Sequence, residues 1–168
     1  TDDDGNNNSA ASYSYAYNPN FIKLTSTIPT NGIEVTNLNQ NLFAYFSQGI
    51  AKGTGNITIF EDVGTVVETI DVTSAQITIN GSELQVNPTN NLSPGKSFYV
   101  LIDDGAIALQ SNGSIVFPGL GNASNWFFNT QADTTPPEII SFSPPEGTVN
   151  VLPNTPIVVT YSEPIQAG

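Results

Sequence analysis

Along most of the chain, apolar residues alternate with polar ones at a period of two, in short runs. Leu42, Ala44 and Phe46 share one face of their segment, Ile57 and Ile59 share another, and Phe98, Val100 and Ile102 a third. That period belongs to strands covered on one side, because successive side chains of a strand point to opposite faces. No segment carries the 3.6-residue spacing of an amphipathic helix. Strands are predicted at 21–25, 42–46, 56–60, 65–72, 97–102 and 125–130, the last with Trp126 and Phe128 facing inward. The sharpest local signal is Asn80-Gly81 between two alternating runs, the chemistry of a two-residue type I′ hairpin. This register pairs Ile79 with Ser82 and Ile77 with Leu84. It also puts Ala75, Ile77, Ile79, Leu84 and Val86 on one face. Turns are predicted at 29–32 and 87–95, and 103–124 reads as a long connection rich in Gly and Asn. Short strands at this spacing predict an all-β fold, a β-sandwich.

The pattern then starts again. Residues 29–53 recur as 144–168, 115 positions later and without a gap. Pro29, Gly32, Asn39, Ser47, Ile50 and Gly53 fall on Pro144, Gly147, Asn154, Ser162, Ile165 and Gly168. Leu42, Ala44 and Phe46 fall on Ile157, Val159 and Tyr161, so the inward face is kept. Repetition at a fixed period is the signature of a tandem array. The expected organisation is a flexible linker or free strand at 1–17, a sandwich at 18–131, a linker at 132–137 and part of a second repeat at 138–168. Two strands cannot bury a core alone. The second repeat is therefore expected to be completed by further strands of its own chain or by a strand donated from a neighbouring subunit. Residues 12–17 have the alternation for donation, since Tyr13, Ser14 and Tyr15 fall 115 positions before Phe128, Asn129 and Thr130.

Charge narrows the functional classes. Fifteen acids stand against three lysines, a net charge of −12, and Lys23, Lys52 and Lys96 form no basic patch. Nucleic acid is thereby disfavoured as a partner, and no apolar run approaches a membrane span, so membrane insertion is not expected. The chain has no cysteine and no histidine, which removes the usual thiol, zinc and Ser–His chemistries. An enzyme is not expected.

With the strands placed, GTGNITIF (53–60), GTVVETIDV (64–72), NPTNNLSPGKSFYVLIDDGAI (87–107), NWFFNT (125–130) and the stretch 133–165 resemble the bacterial Ig-like domain of the S-layer (SbsA-like) type. The resemblance covers 21–168. It implies an Ig-like β-sandwich serving as a non-catalytic repeat of a bacterial surface protein, adhesin or S-layer, located extracellularly or at the cell surface, with neighbouring repeats or subunits as partners. One departure stands out: the second repeat carries Ser162-Glu163-Pro164 where the first has Ser47-Gln48-Gly49.

Calcium is the candidate cofactor, because hard cations need several oxygen ligands and acids, Asn and loop carbonyls are plentiful. If 139–142 pairs antiparallel with 157–161, Glu163 returns toward the linker holding Asp133, and these two residues make one candidate site. Asp103 and Asp104, opening the long connection, make the other. Aromatic residues allow a further reading, a carbohydrate-binding module that stacks surface glycans on Tyr13, Tyr15, Tyr17, Phe43 and Tyr45. Cross-strand packing is the competing role for such residues. Lys23 and Asn129, on the first and last strands, would be the pair for an isopeptide crosslink.

Overall fold

The strands of the computed structural model, which describes residues 21–166, run in chain order as follows. They are β1 Leu24–Ile28, β2 Glu34–Val35, β3 Leu42–Phe46, β4 Ile50–Lys52, β5 Asn56–Glu61, β6 Thr65–Asp71, β7 Ile77–Asn80, β8 Glu83–Val86, β9 Ser97–Ile102, β10 Ile107–Leu109, β11 Asn112–Val116, β12 Phe127–Thr130, β13 Ile139–Ser143 and β14 Val158–Tyr161. Among the described residues the helical element is one 3-10 turn, Ala123–Asn125. Two units result, one ending at Gln131 and the other beginning at Ala132. The fold is an all-β, Ig-like sandwich.

In the first unit a four-stranded sheet (β1-β3-β8-β7) and a five-stranded sheet (β2-β12-β9-β5-β6) share one core. The first contributes Leu42, Ala44, Ile77, Leu84 and Val86, and the second Ile57, Ile59, Ile70, Phe98, Val100, Ile102 and Phe128, all buried. Each large side chain taken fully from water contributes about 1.5–3 kcal/mol, and the strand alternation exists to deliver them to this one space. Phe98 and Phe128 stack at 5.6 Å, while Phe46 meets Phe117 edge-on at 5.2 Å. A small third sheet, β11-β10-β4, adds Ile50, Ile107 and Leu109 to the core.

Three expectations change. The first strand begins at Leu24 rather than Phe21, and a bulge between Leu24 and Ser26 makes Thr27 the buried residue. The hairpin pairs Asn80 with Glu83, Ile79 with Leu84 and Ile77 with Val86. Its two-residue loop is thus Gly81-Ser82, with Gly81 at φ 61, so glycine takes the first central position that a type II′ turn demands. The slip is two residues, which keeps every side chain on its expected face; a slip of one would have inverted them. The connection 103–124 contains the β10–β11 hairpin, whose apolar run Ile107-Ala108-Leu109 is too short for its period to be read.

The second unit consists of β13 and β14, paired antiparallel. Their register repeats that of β1 and β3 at every pair: Leu24↔Phe46 becomes Ile139↔Tyr161, Thr27↔Ala44 becomes Phe142↔Val159, and the bulge recurs between Ile139 and Ser141. Ser47 N donates to Lys23 O at 2.8 Å and Lys23 N to Ser47 Oγ at 3.1 Å. Ser162 and Glu138 exchange the same two bonds, at 2.8 and 2.9 Å. Serine recurs here because its hydroxyl satisfies a strand-end N–H that no ladder partner reaches.

Candidate assembly groove and cation sites

The turn after the opening strand recurs in both units, in different surroundings. In the first unit Ile33 N donates to Thr30 O at 3.1 Å, and Gly32, at φ 76, turns the chain toward β12. Gly32 N then donates to Phe127 O at 2.9 Å, Asn129 N to Ile33 O at 2.9 Å and Gln131 N to Val35 O at 2.9 Å, so β2 and β12 pair parallel. The Asn31 side chain adds a two-way clasp: its Nδ2 donates to Ser124 O at 2.8 Å and its Oδ1 accepts from Phe127 N at 2.7 Å.

The second unit builds the same turn. Thr148 N donates to Pro145 O at 3.2 Å, and Gly147 lies at φ 79. Among the described residues no strand lies alongside it. A Cβ placed on Gly32 would meet the Phe127 ring at 3.4 Å, whereas one on Gly147 would meet nothing within 4 Å. In its place is a cavity of about 480 Å³ lined by Phe142, Pro144, Glu146, Gly147, Val151 and Ile157, among others. Ile157 is 84% exposed where its equivalent Leu42 is fully buried. The groove is therefore apolar, with one carboxylate at its wall.

The four candidate calcium ligands fall in two places. Asp103 and Asp104 form a turn closed by Ala106 N donating to Asp103 O, with Gly105 at φ 80. Asp103 Oδ2 accepts from the Asn56 N–H at 2.8 Å and from its Nδ2 at 3.2 Å, so this carboxylate orders the start of β5. Asp133 Oδ1 accepts from Thr135 N at 2.9 Å, an Asx turn that stiffens the entry to Pro136-Pro137. The β13–β14 pairing returns Ser162 to Glu138, and Glu163 Oε1 is buried without a hydrogen-bond partner. Among the described residues, three or more acids nowhere gather as a metal-ligand group.

Other acids are engaged in structure that the alternation did not foretell. Glu68 on β6 accepts from Thr89 Oγ1 at 2.6 Å, Thr89 N at 2.9 Å and Gln76 Nε2 at 2.8 Å. β6 and β7 are edge strands of opposite sheets, so this network links the two sheets along one side. Partial burial opposes ionisation of Glu68, but those hydrogen bonds outweigh it and hold its pKa below the usual carboxylate value. Lys96 bonds Asp62 Oδ2 at 2.8 Å and approaches Glu61 at 3.7 Å. The Lys96 hydrogen bond lowers the Asp62 pKa, and the same contact raises that of Lys96. Thr73 does to Asp71 what Lys96 does to Asp62, through its hydroxyl and its N–H.

Phe43 and Tyr45 are half-buried on the outer face of β3, opposite Gln85 and Glu83. Burial first, and then Glu83, push the Tyr45 phenol up. Sequence reasoning missed the row Phe127, Tyr99 and Phe60, which lie in register across β12, β9 and β5. Phe60 and Tyr99 stack at 4.7 Å and 5°, covering each other's faces. Asn129 Oδ1 accepts from Ser97 Oγ at 2.8 Å, and Lys23 is exposed. Tyr13, Tyr15 and Tyr17 lie outside the described residues.

Among the described residues no helix is long and apolar enough to cross a membrane. Comparison with curated proteins finds no match. A crystal structure of CopC from Methylosinus trichosporium OB3b is similar at a TM-score of 0.48 and 12% identity, over 69% of this chain and 99% of that one. The profile of the bacterial Ig-like domain matches residues 19–130 and again 133–168, and the chain belongs to that family.

Proposed function

We propose that the chain is a non-catalytic spacer and assembly module of a bacterial cell-surface or secreted protein, of the S-layer-associated kind. The observation that carries this reading is the repeat itself. A self-contained sandwich ends at Gln131, and the next unit restarts with the same register, bulge and serine hydrogen bonds. Repetition of one passive unit sets length, which is what a spacer supplies. The acids support the same reading, because Asp62, Glu68, Asp71 and Asp103 hold strands and turns together. Neighbouring repeats are its first partners.

Antibodies to residues 19–130 test it. Intact cells of the source organism should be labelled as strongly as permeabilised ones. Labelling that requires permeabilisation overturns the surface assignment, and a hydrolase activity abolished by one carboxylate-to-amide change overturns the non-catalytic one.

Calcium belongs to the same proposal as a weak stiffener of the start of the second unit, through Asp133 and Glu163. The unpartnered Glu163 Oε1 favours it over the turn at Asp103 and Asp104, where Asn56 already occupies a carboxylate oxygen. Two carboxylates leave most of the six to eight oxygen ligands to carbonyls and water, which sets the affinity in the roughly millimolar range of extracellular modules.

A further inference from the structure

We infer that Asn112, the first residue of β11, is a self-modifying site. Its side-chain amide is lost to attack by the backbone nitrogen of Gly113, which leaves aspartate or isoaspartate in the β10–β11 hairpin.

Three asparagines precede glycine in this chain: Asn31, Asn80 and Asn112. Glycine is the neighbour that lets the reaction run, because it has no Cβ to hinder the approach of its own nitrogen to the side chain before it. All three asparagines are exposed, so access to water does not distinguish them. Their hydrogen bonds do. Asn31 is turned toward β12: its Oδ1 accepts from Phe127 N and its Nδ2 donates to Ser124 O. Gly32 N, the nitrogen that would attack, donates to Phe127 O. Electrophile, leaving group and nucleophile are all engaged elsewhere. Asn80 closes the β7–β8 hairpin opposite Glu83, and among the described residues no hydrogen bond holds its side chain. It reaches the reactive geometry only by free rotation. Asn112 differs from both. Its Oδ1 accepts from Ser114 N at 3.1 Å, an Asx turn that folds the side chain back over its own following peptide.

That bond does two things. It holds carbonyl and nucleophile together, so part of the entropic barrier to ring closure is already met. It also puts an N–H donor on the oxygen where negative charge gathers as the nitrogen attacks. Gly113 N forms its bond to Asn112 Cγ while the Cγ–Nδ2 bond breaks. Hydroxide takes the Gly113 N–H proton, and ammonia leaves after gaining a proton from water. Water then opens the five-membered imide at one of its two carbonyls. One opening gives aspartate in a normal main chain, and the other routes the main chain through the former side chain as isoaspartate. A Cβ on Gly113 would meet nothing within 4 Å, so the hairpin has room for the ring. Isoaspartate adds an atom to the main chain of β11, an edge strand of the third sheet that leads to the buried Phe117. Either product adds a negative charge to a chain already at −12.

The full-length chain, folded and in denaturing urea, is kept in mildly alkaline buffer. Each site is followed by peptide mapping with fragmentation that tells isoaspartate from aspartate. In the folded chain Asn112 should convert first, about threefold or more ahead of Asn80. In urea the three rates should converge. Asn31 should slow about tenfold or more on folding, because it reacts only when β2 opens from β12. Ser114→Pro removes the N–H donor at an exposed position of an edge strand, where proline is tolerated. It should slow Asn112 to the pace of Asn80 or below and leave Asn80 unchanged, with Trp126 fluorescence reporting the fold. Conversion of Asn80 or Asn31 ahead of Asn112 overturns the proposal, and so does an unchanged Asn112 rate in folded Ser114→Pro. An Asn112 that reacts more slowly in the folded chain than in urea also overturns it. That comparison needs no variant, and it decides the matter if Ser114→Pro does not fold.

Discussion

Leu42 and Ile157 occupy the same place in two repeats, one fully buried and the other 84% exposed, so truncating each to alanine measures what a complete sandwich adds. Leu42 sits on β3 between β1 and β8, facing the second sheet. Removing its branched end leaves a cavity that this packing cannot close, a loss of about 3 kcal/mol within a usual range of 2–5. A unit of about 110 residues has a melting entropy near 0.23 kcal/mol/K at roughly 2.1 cal/mol/K per residue, so Tm should fall by about 13 °C. Ile157→Ala removes atoms that water already touches, and should shift Tm by less than about 2 °C, as exposed substitutions do. The assay is built into the molecule: the only tryptophan, Trp126, is fully buried in the first unit, so its fluorescence reports that unit's unfolding. Melting is followed at a concentration where the protein is monomeric by sedimentation. A shift under about 4 °C for Leu42→Ala would refute the burial argument. A large shift for Ile157→Ala in monomer would show that its face is covered and that the second unit is coupled to the first.

Acid should destabilise the first unit. Asp62, Glu68 and Asp71 all have folded pKa values below their usual ones, so their stabilisation is full above roughly pH 4, near the unfolded carboxylate values, and is lost as pH falls through the folded values. Glu68→Gln should flatten the Tm-against-pH slope between roughly pH 5 and 3, and an unchanged slope would remove Glu68 from that account. Gly119→Ala puts a Cβ 2.4 Å from Ile102 O at φ 79 and should cost at least about 2 kcal/mol in urea unfolding, whereas Gly81→Ala, at φ 61 in open space, should cost about 1. Calcium at about 10 mM should protect the 133–138 segment from limited proteolysis, and identical digestion with chelator, or with Asp133→Asn, would discard that site.

Much of the sandwich was legible because its strands are covered on one side only, so burial writes a period of two into residues 42–46, 57–59 and 98–102. The face of the 77–86 hairpin was legible for the same reason, and its register was not. Asn80 and Gly81 suit a type I′ loop, yet the observed loop is Gly81-Ser82. Parity is enforced by the core, whereas a shift of two residues is decided by turn geometry alone. β10 escaped because all three of its residues are buried, leaving no alternation to see. The site residues were harder still. Asp103 looked free for a cation, but the Asn56 N–H it accepts from lies 47 positions away, a contact that no local pattern encodes. The restart at 144–151 was legible in outline, as a recurrence of 29–36. Its preformed turn was not, because Gly147 and Thr148 acquire meaning only beside Gly32 and Ile33 with β12 in place.

The parallel pairing of β2 with β12 has a mechanical consequence. A pull on the two ends of the first unit draws β2 back toward the N-terminus and β12 forward toward the C-terminus, and parallel strands drawn that way slide along each other. The three backbone bonds from Gly32, Asn129 and Gln131 and the two from Asn31 then carry the load together, where a hairpin would open bond by bond. A module tied between a cell and its surroundings would yield abruptly at one high force and hold its length below it. Asn31→Ala, which deletes two of the five bonds, should lower that rupture force in single-molecule pulling. An unchanged force would place the mechanical barrier elsewhere in the sandwich.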